Sequence, residues 1–402
     1  MLAVGEALQR ILGTVRALGA ERVFLLEALG RVNTEDITAG RTIPPRDNSA
    51  MDGYALRAED TAGADRENPV VLEITEDVPA GKSPLYPVRR GQAARIMTGG
   101  IIPEGADAVL RVEDTESAEN RVKIFVPVAK SQDVRFAGED VRSGEIVITR
   151  GKAIGAPEIG MLAAIGCSMV SVHRRPSVAI LATGNELAEI DEEPGPGMIV
   201  NSNSYALAAQ VLECGARPII LGIARDNRSD LVEKFENAAG ADMILSSGGV
   251  SVGDYDLVKD IMGELGKMDF WRVAMRPGRP LAFGMLQGKP IFGLPGNPVS
   301  SMISFEQFVR PALRKMMGHK ELFRRSVKAE LAAEIKKKED LRYFYRARLR
   351  KEGDRVIAAV TGDQGSGILS SMVKADGLII LPESVSTFPA GTVVDVQVLR
   401  EF

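Results

Sequence analysis

Ser177-Val178-Ala179-Ile180-Leu181-Ala182-Thr183-Gly184-Asn185-Glu186 is an apolar run that ends in a glycine turn and a carboxylate. A run this short, closed by Gly, reads as a buried strand. The period then switches. Ser202-Asn203 offers a helix cap, and Leu207, Val211 and Leu212 fall on one helical face that Gly215 stops. Residues 218–221 form the next strand; Leu231, Val232 and Phe235 mark a helix, and 243–245 is another buried strand. A helix is expected after Asp256, and Pro298 opens a long one carrying Met302, Phe305, Phe308, Val309 and Leu313. This alternation predicts a doubly wound α/β domain over 173–319, a parallel sheet with helices on both faces. In such sheets ligands sit where loops leave the carboxyl ends of the strands.

Outward from this domain the texture changes twice. Towards the N-terminus, Val4, Leu8, Ile11, Leu12, Val15 and Leu18 recur at helical spacing, and the first 43 residues read as helical, interrupted at Gly19 and Gly30. From 44 to 137 short strands (70–74, 93–98, 108–112 and 122–128) are separated by Gly, Pro, Asp and Asn, as in a β-rich insertion. Residues 138–172 return to short apolar pieces and are expected to join 1–43 in a discontinuous mixed α/β linking domain. After 319 the strand candidates are 355–360, 378–381 and 393–399. In the last, Val394, Val396 and Val398 alternate with Asp395 and Gln397. Residues 320–402 are therefore expected to form a C-terminal β-barrel-like domain.

Composition removes several classes of function. The 402 residues are 45% hydrophobic and 26% charged, as in ordinary soluble domains. Fifty Lys and Arg against 54 Asp and Glu leave a net charge of -4, so no basic field invites nucleic acid. Aromatics at 5% also argue against a stacking platform for single strands. Two cysteines, Cys167 and Cys214, cannot build a disulfide framework and fit a reducing compartment. Two histidines exclude imidazole-rich zinc sites. No apolar run approaches a membrane span, and Glu6 and Arg10 interrupt what would be a signal peptide's core. A cytoplasmic protein with neither nucleic acid nor membrane as partner is expected.

Three loops leave strands at one edge of the α/β domain. They are Thr183-Gly184-Asn185-Glu186, the run from Ser246 to Asp256 with Gly248, Gly249 and Ser251, and Leu294-Pro295-Gly296-Asn297-Pro298. Glycines let backbone N–H groups approach an anion, and a following helix adds partial positive charge. Each loop alone is an ordinary turn, but three on one edge point to a phosphate-type ligand. Known nucleotide fingerprints fail: no GxGxxG is present, and Gly81-Lys82-Ser83 has Glu76 where a P-loop needs glycine. Arg272, Arg276 and Arg279 surround the Pro277-Gly278 turn. Guanidinium forks pair well with tetrahedral oxyanions, although by itself the stretch reads as a solvated loop. Glu186, Asp226, Asp254 and Asp256 follow strands of the same sheet. Their hard oxygens suit Mg²⁺ with substrate phosphates, while Asp226 reads equally well as a helix cap. The combination suits metal-assisted phosphoanhydride chemistry. Asn48 to Ala55 with Asp52, Met97 to Gly100 with Thr98, and Gln364-Gly365-Ser366-Gly367 read on physical grounds as turns.

Together these runs resemble the MoeA proteins of molybdenum cofactor synthesis, related to the E domain of gephyrin. The matching pieces are residues 49–55, 95–99, 105–109, 138–140, 183–187, 247–253 and 294–300, in the family's order. The resemblance implies four domains in an elongated homodimer, the α/β one similar to the separate molybdopterin adenylyltransferase. Its active site would lie between the α/β domain of one subunit and the β domains of the other. It implies a molybdopterin molybdenumtransferase that takes molybdopterin-AMP and molybdate, inserts the metal at the dithiolene and releases AMP with Mg²⁺. Asp52, Thr98 and Asp140 carry over as site residues from the β side. Glu186, Asp226 and Asp256 carry over as acidic residues for metal and substrate, Asp256 aligning better than Asp254. Pro295 and Pro298 match the oxyanion loop, and Arg346 and Ser366 match positions of the last domain. Arg272, Arg276 and Arg279 stand where the family has lysines, which keeps charge but exchanges a point charge for a fork and makes tungstate an alternative to molybdate. Neither cysteine lies in these loops, so no covalent enzyme intermediate is expected. The competing readings are a gephyrin-like partner-binding scaffold and a molybdopterin adenylyltransferase; a separate adenylyltransferase is also a candidate partner.

Overall fold

The computed structural model describes residues 1–249, 260–261, 263–264, 266–338 and 340–402. They form two compact units. The first comprises Met1–Glu21, Gly30–Val32 and Val172–Phe402, and the second comprises Arg22–Leu29 and Asn33–Ser171.

In the first unit, helix α1 (Val4–Thr14) is followed by strand β1 (Ser177–Thr183), α2 (Ser202–Cys214), β2 (Arg217–Ala224), α3 (Arg228–Ala238) and β3 (Met243–Ser247). Then come β4 (Gly266–Arg272), β5 (Pro280–Leu286), β6 (Lys289–Leu294) and a helix that starts as α4 (Pro298–Ser304) and ends as α5 (Arg310–Met316). A π turn, Phe305–Val309, joins those two segments. The strands form one sheet in the order β2-β1-β3-β6-β5-β4. Successive side chains of a strand face opposite ways, so β1 feeds two cores. Val178 and Ile180 pack with Leu207, Val211, Ile303 and Phe305 on one face, and with Val4, Ala7 and Ile11 of α1. Ala179 and Leu181 pack with Leu231 and Phe235 of α3 on the other. The doubly wound α/β fold is therefore present, with one departure from the expected parallel sheet. β5 pairs antiparallel with both β6 and β4. The cause is local: Gln287 and Gly288 both take positive φ, the geometry of a tight hairpin turn between β5 and β6.

Two further expectations are corrected. Only Val4–Thr14 of the N-terminal stretch is α-helical; Ala20–Phe24 is a strand and Leu25–Ala28 a single 3₁₀ turn. Gly19 interrupts the helical pattern, and pairing with Met169–His173 draws Ala20–Phe24 into a strand in spite of its helix-favouring residues. The cap of α2 is Asn201, whose side chain accepts from the Ser204 amide, and not Ser202 or Asn203.

The C-terminal strands are β7 (Ser326–Leu331), β8 (Arg342–Glu352), β9 (Arg355–Val360), β10 (Gly377–Leu381) and β11 (Val393–Val398). Their order β8-β9-β7-β11-β10 closes on itself through β8–β10 pairing, so this region is a five-stranded barrel. Closure leaves no open edge among them. The barrel core holds Leu331, Tyr343, Ala347, Leu349, Ile379 and Val396.

The second unit holds a six-stranded sheet made of Ala108–Arg111, Gly53–Leu56, Gln92–Ile96, Val70–Val78, Arg121–Ile124 and Thr115–Ala118, in that spatial order. Tyr54, Leu56, Leu72, Leu110 and Val122 are buried against one another. Ile37–Thr38 pairs with Ile146–Ile148, and helix Ala156–Ala164 follows. Among the described residues no helix is long and apolar enough to cross a membrane.

One buried group makes the first unit acid-sensitive. His319, just beyond α5, is 9% exposed. Burial, with Arg314 and His173 adding to it, pushes its imidazole down to about 4. The unfolded chain therefore takes up this proton first, at about 6.5. Stability present above pH 6.5 is expected to fall as the pH drops to about 4, by roughly 3 kcal/mol. Urea unfolding across that window measures it, and His319→Gln should flatten the slope.

Candidate functional site

The pairing registers bring one end of every strand of the α/β sheet to a common edge. Thr183 is level with Ala224, Ala182 with Ser247, and Ser247 with Leu294. Because β5 alone runs against the others, its first residues share this edge with the last ones of β4 and β6: Ala282 lies opposite Gly293 and Arg272 opposite Pro280. The loops carrying Glu186, Asp226, Gly248 and Pro295 thus emerge beside the arginine-bearing connection 272–280. The order along the edge is Asp226, Glu186, Gly248, Pro295–Pro298, then Arg272–Arg279. With strands about 4.8 Å apart, the acidic and basic ends are separated by roughly 24 Å. The sequence reading places both sets at one edge; the structure adds that they stand at opposite ends of it.

At the acidic end, Asp226 accepts from the Asn185 amide (3.2 Å), and the Asn185 side chain accepts from the Asp226 amide (3.1 Å). The exchange locks the two loops together. Glu186 is exposed, and its carboxylate lies over Gly184, where an added Cβ would come within 2.4 Å of Oε2. Gly248 takes φ +93°, and a Cβ there would sit 2.8 Å from the Thr183 carbonyl oxygen, so this position requires glycine. Asn203, near the start of α2, donates to Ser247 Oγ (2.8 Å) and to the Gly296 carbonyl (2.7 Å). It ties the middle loops to one another, a role its sequence position as a helix cap did not disclose. Glu186, Asn203, Ser247, Gly248 and Gly296 line a cavity of about 540 Å³ with Asn297, Pro298 and Gly367. Among the described residues no group of three or more His, Cys, Asp or Glu could hold a metal. Asp256, Asp254 and Ser251 lie outside the described residues.

At the basic end is a second cavity, of about 270 Å³, lined by Arg276, Lys336, Lys338, Tyr343, Tyr345 and Arg346. Arg276 stacks over Tyr343, 5.8 Å from the ring centre. Arg272 is exposed and Arg279 half-buried. Gly278 fits tightly here, since a Cβ would meet Ser304 Oγ at 2.6 Å. Arg346 is 1% exposed. Burial pushes its guanidinium down to about 10, against the pull of Asp363 and Tyr345. It donates to Ser371 Oγ and to the Gly365 carbonyl, both at 3.0 Å, while its amide donates to Gln364 Oε1 (2.8 Å). Arg346 therefore holds the 364–367 loop, and that loop divides the two cavities. Ser366 in turn accepts from the Val299 amide (3.1 Å), which docks the loop on the start of α4. Lys336 and Lys338 went unmarked in the sequence because a lysine run before Glu-Asp reads as a solvated surface.

In the second unit, Asp52 Oδ1 accepts from Thr98 N (2.6 Å) and Thr98 Oγ1 (2.7 Å). The two hydrogen bonds, the amide first, hold this carboxyl below the usual carboxylate range. Asp140 is exposed, and its amide donates to the Ile43 carbonyl (3.2 Å). Cys214, in the first unit, is buried, and burial pushes its thiol up to about 12, far from a nucleophile's range.

Family models for the "MoeA N-terminal region (domain I and II)", a "probable molybdopterin binding domain" and the "MoeA C-terminal region (domain IV)" match residues 2–166, 179–315 and 328–399. The chain belongs to the MoeA family. Its similarity to molybdopterin molybdenumtransferase 2 of Mycobacterium tuberculosis is 38% identity over 98% of this chain and 99% of that one. With the molybdopterin molybdenumtransferase of Bacillus subtilis it is 35% identical over 99% of this chain and 94% of the relative. The crystal structure of the MoeA molybdopterin biosynthesis protein from Pyrococcus horikoshii superposes with a TM-score of 0.85 at 34% identity, covering 99% of this chain and 100% of that one. Within this MoeA chain, the N-terminal match contains Asp52, Thr98 and Asp140, the central match contains both acidic and arginine-bearing loops, and the C-terminal match contains Arg346 and Ser366. Similarity along the whole chain to relatives named as molybdenumtransferases does not favour the adenylyltransferase or scaffold readings.

Proposed function

We propose that this chain, an enzyme of molybdenum cofactor biosynthesis, inserts molybdate, with tungstate as alternative, into molybdopterin-AMP and releases AMP. The observation that carries the reading is the polarity of the sheet edge: exposed carboxylates at one end, a cation-walled cavity at the other, and glycine loops between. A substrate with a phosphoanhydride in its middle and sulfurs at one end suits such a gradient. Glu186 and Asp226 stand on neighbouring strand ends and offer the one or two hard carboxylates that Mg²⁺ takes alongside phosphates. They would hold it, with Asp256 as the family's third acid, and the ion would neutralise the anhydride's charge.

The chain's own groups then divide the work. Amides of the Gly248-Gly249 turn, with Ser251, and the loop from Pro295 to Pro298 orient the phosphates. Arg276, Arg279 and Arg346 hold the incoming dianion, and Arg272 raises the local positive potential. Water cleaves the phosphoanhydride so that AMP leaves with one added oxygen, while the oxyanion exchanges oxides, released as water, for the two dithiolene sulfurs. Ser366 positions the loop between the two events. Asp52, Thr98 and Asp140 complete the site from a second subunit. Exposed Ile219 and Ile220 on the edge strand β2, and Leu212 on α2, support a homodimer. The four-part division into 1–43 with 138–172, 44–137, 173–319 and 320–402, and a cytoplasmic location consistent with two free cysteines, belong to the same proposal. A separate molybdopterin adenylyltransferase would supply the substrate.

The deciding experiment is nucleotide accounting. AMP is expected to appear only when molybdate or tungstate is added to enzyme and molybdopterin-AMP, with ATP untouched. Release of AMP without either oxyanion, or ATP consumption with free molybdopterin, overturns the reading.

A further inference from the structure

A buried ionic node lies beneath the helix that starts at Pro298. Glu306, on the π turn, is 1% exposed. Its carboxylate accepts from Arg310 Nε (2.6 Å), Arg324 Nε (2.9 Å) and Gln210 Nε2 (2.9 Å). Arg324 also donates to Glu213 of α2 (2.5 Å) and to the Leu399 carbonyl, just past β11 (3.0 Å). Beside it, Gln307 donates to Gln397 of β11 (2.7 Å). One carboxylate therefore joins α2, the long helix, the linker into the barrel and, through Arg324, the barrel's last strand. A π turn is uncommon and turns side chains away from their α-helical positions. Buried ion pairs contribute little net stability over apolar packing, so geometry is the better account of such a node.

We infer that Glu306 and Arg324 are positioning residues for the oxyanion cavity, an inference that rests on the function proposed above. The barrel domain shares an apolar core with the helix through Phe344, Met372 and Leu378, and two polar links set its register there. One is this node, and the other is the bond from Val299 N–H to Ser366, which seats the loop dividing the two cavities. The first-turn amides of a helix have no intrahelical acceptor, so Val299 depends on the barrel loop for its partner. Fixing the barrel at the node sets where that loop, and Arg346 beneath it, meet the helix start.

Arg324→Met tests this while leaving Glu306 paired with Arg310 and Gln210. Native-state hydrogen exchange at the Val299 amide is expected to quicken at least tenfold, with β1 amides within twofold. Molybdate affinity by calorimetry is expected to weaken at least tenfold while molybdopterin-AMP affinity stays within twofold. Arg324→Lys, which keeps one donor to Glu306, should recover part of both. Unchanged Val299 exchange overturns the inference, as does a parallel rise at β1, or faster exchange with molybdate affinity intact. If the wild-type protein binds no molybdate, the functional reading falls, and the exchange data alone decide whether the node positions the loop.

Discussion

Glu186→Ala and Asp52→Ala are each expected to lower molybdate-dependent AMP release by about two to three orders of magnitude, the loss seen when one preorganised electrostatic group leaves a site. Neither should unfold the protein. Glu186 is exposed, and the bond its backbone carbonyl accepts from the Ile199 amide survives the change. Asp52 is likewise exposed, and its partners Thr98 N and Oγ1 can turn to water. The two variants differ in one readout. Glu186→Ala should shift the magnesium concentration needed for half-maximal turnover, whereas Asp52→Ala should lower turnover at every magnesium concentration. Co-expressed as a mixed dimer, the two inactive chains should recover one working site, because each supplies what the other lacks. An inactive mixed dimer, with both parent proteins dimeric, removes the shared site from the proposal.

Much of this edge is legible in the sequence alone. Val178 to Leu181 forms a strand buried on both faces, and a glycine turn follows it. Such runs show their carboxyl-terminal loops directly, and Glu186, Gly248 and Pro295 could be placed on one line. The hairpin at Gln287-Gly288 was not legible: Gln-Gly is a weak turn signal, and missing it turned an antiparallel pair into a supposed parallel one. Strand β8 was passed over for a related reason. Its outward positions Arg346, Arg348 and Arg350 read as a charged surface, yet Arg346 is buried beneath the 364–367 loop. Whether a charged residue in a strand faces water or another element depends on what packs there, which no local pattern encodes. Lys336 and Lys338 were invisible on the same principle, since a cavity wall is made by the opposing face. Glu306 was hidden by its place in an apolar helix, where Met302, Phe305 and Phe308 dominate the pattern.

Glu306→Gln is expected to cost about 3–5 kcal/mol of stability at neutral pH, the usual penalty for leaving buried charge uncompensated. Arg310 has a side chain only 7% exposed, and Arg324 one 20% exposed, so both guanidiniums would lose their buried anion and keep only the exposed Glu213 while still largely out of water. The pH dependence separates this from a simple packing defect. Burial pushes the Glu306 carboxyl up, but hydrogen bonds from Arg310 and Arg324, with their charges, outweigh it and hold the group below 4.5. A carboxyl lowered in the folded state contributes its stability above the unfolded value and loses it as the pH falls through the folded one. Wild type and Glu306→Gln should therefore differ most near pH 7 in urea unfolding and converge progressively below pH 4.5. Replacing Glu306 and Arg310 together with leucine should recover much of the loss, because Arg324 keeps Glu213 and Gln210 keeps the Met302 carbonyl as its acceptor. That double variant also separates the two roles of the node: with stability returned but Arg324 no longer anchored to the helix, molybdate affinity should stay weak. If affinity returned with stability, the ion cluster would be serving the fold alone.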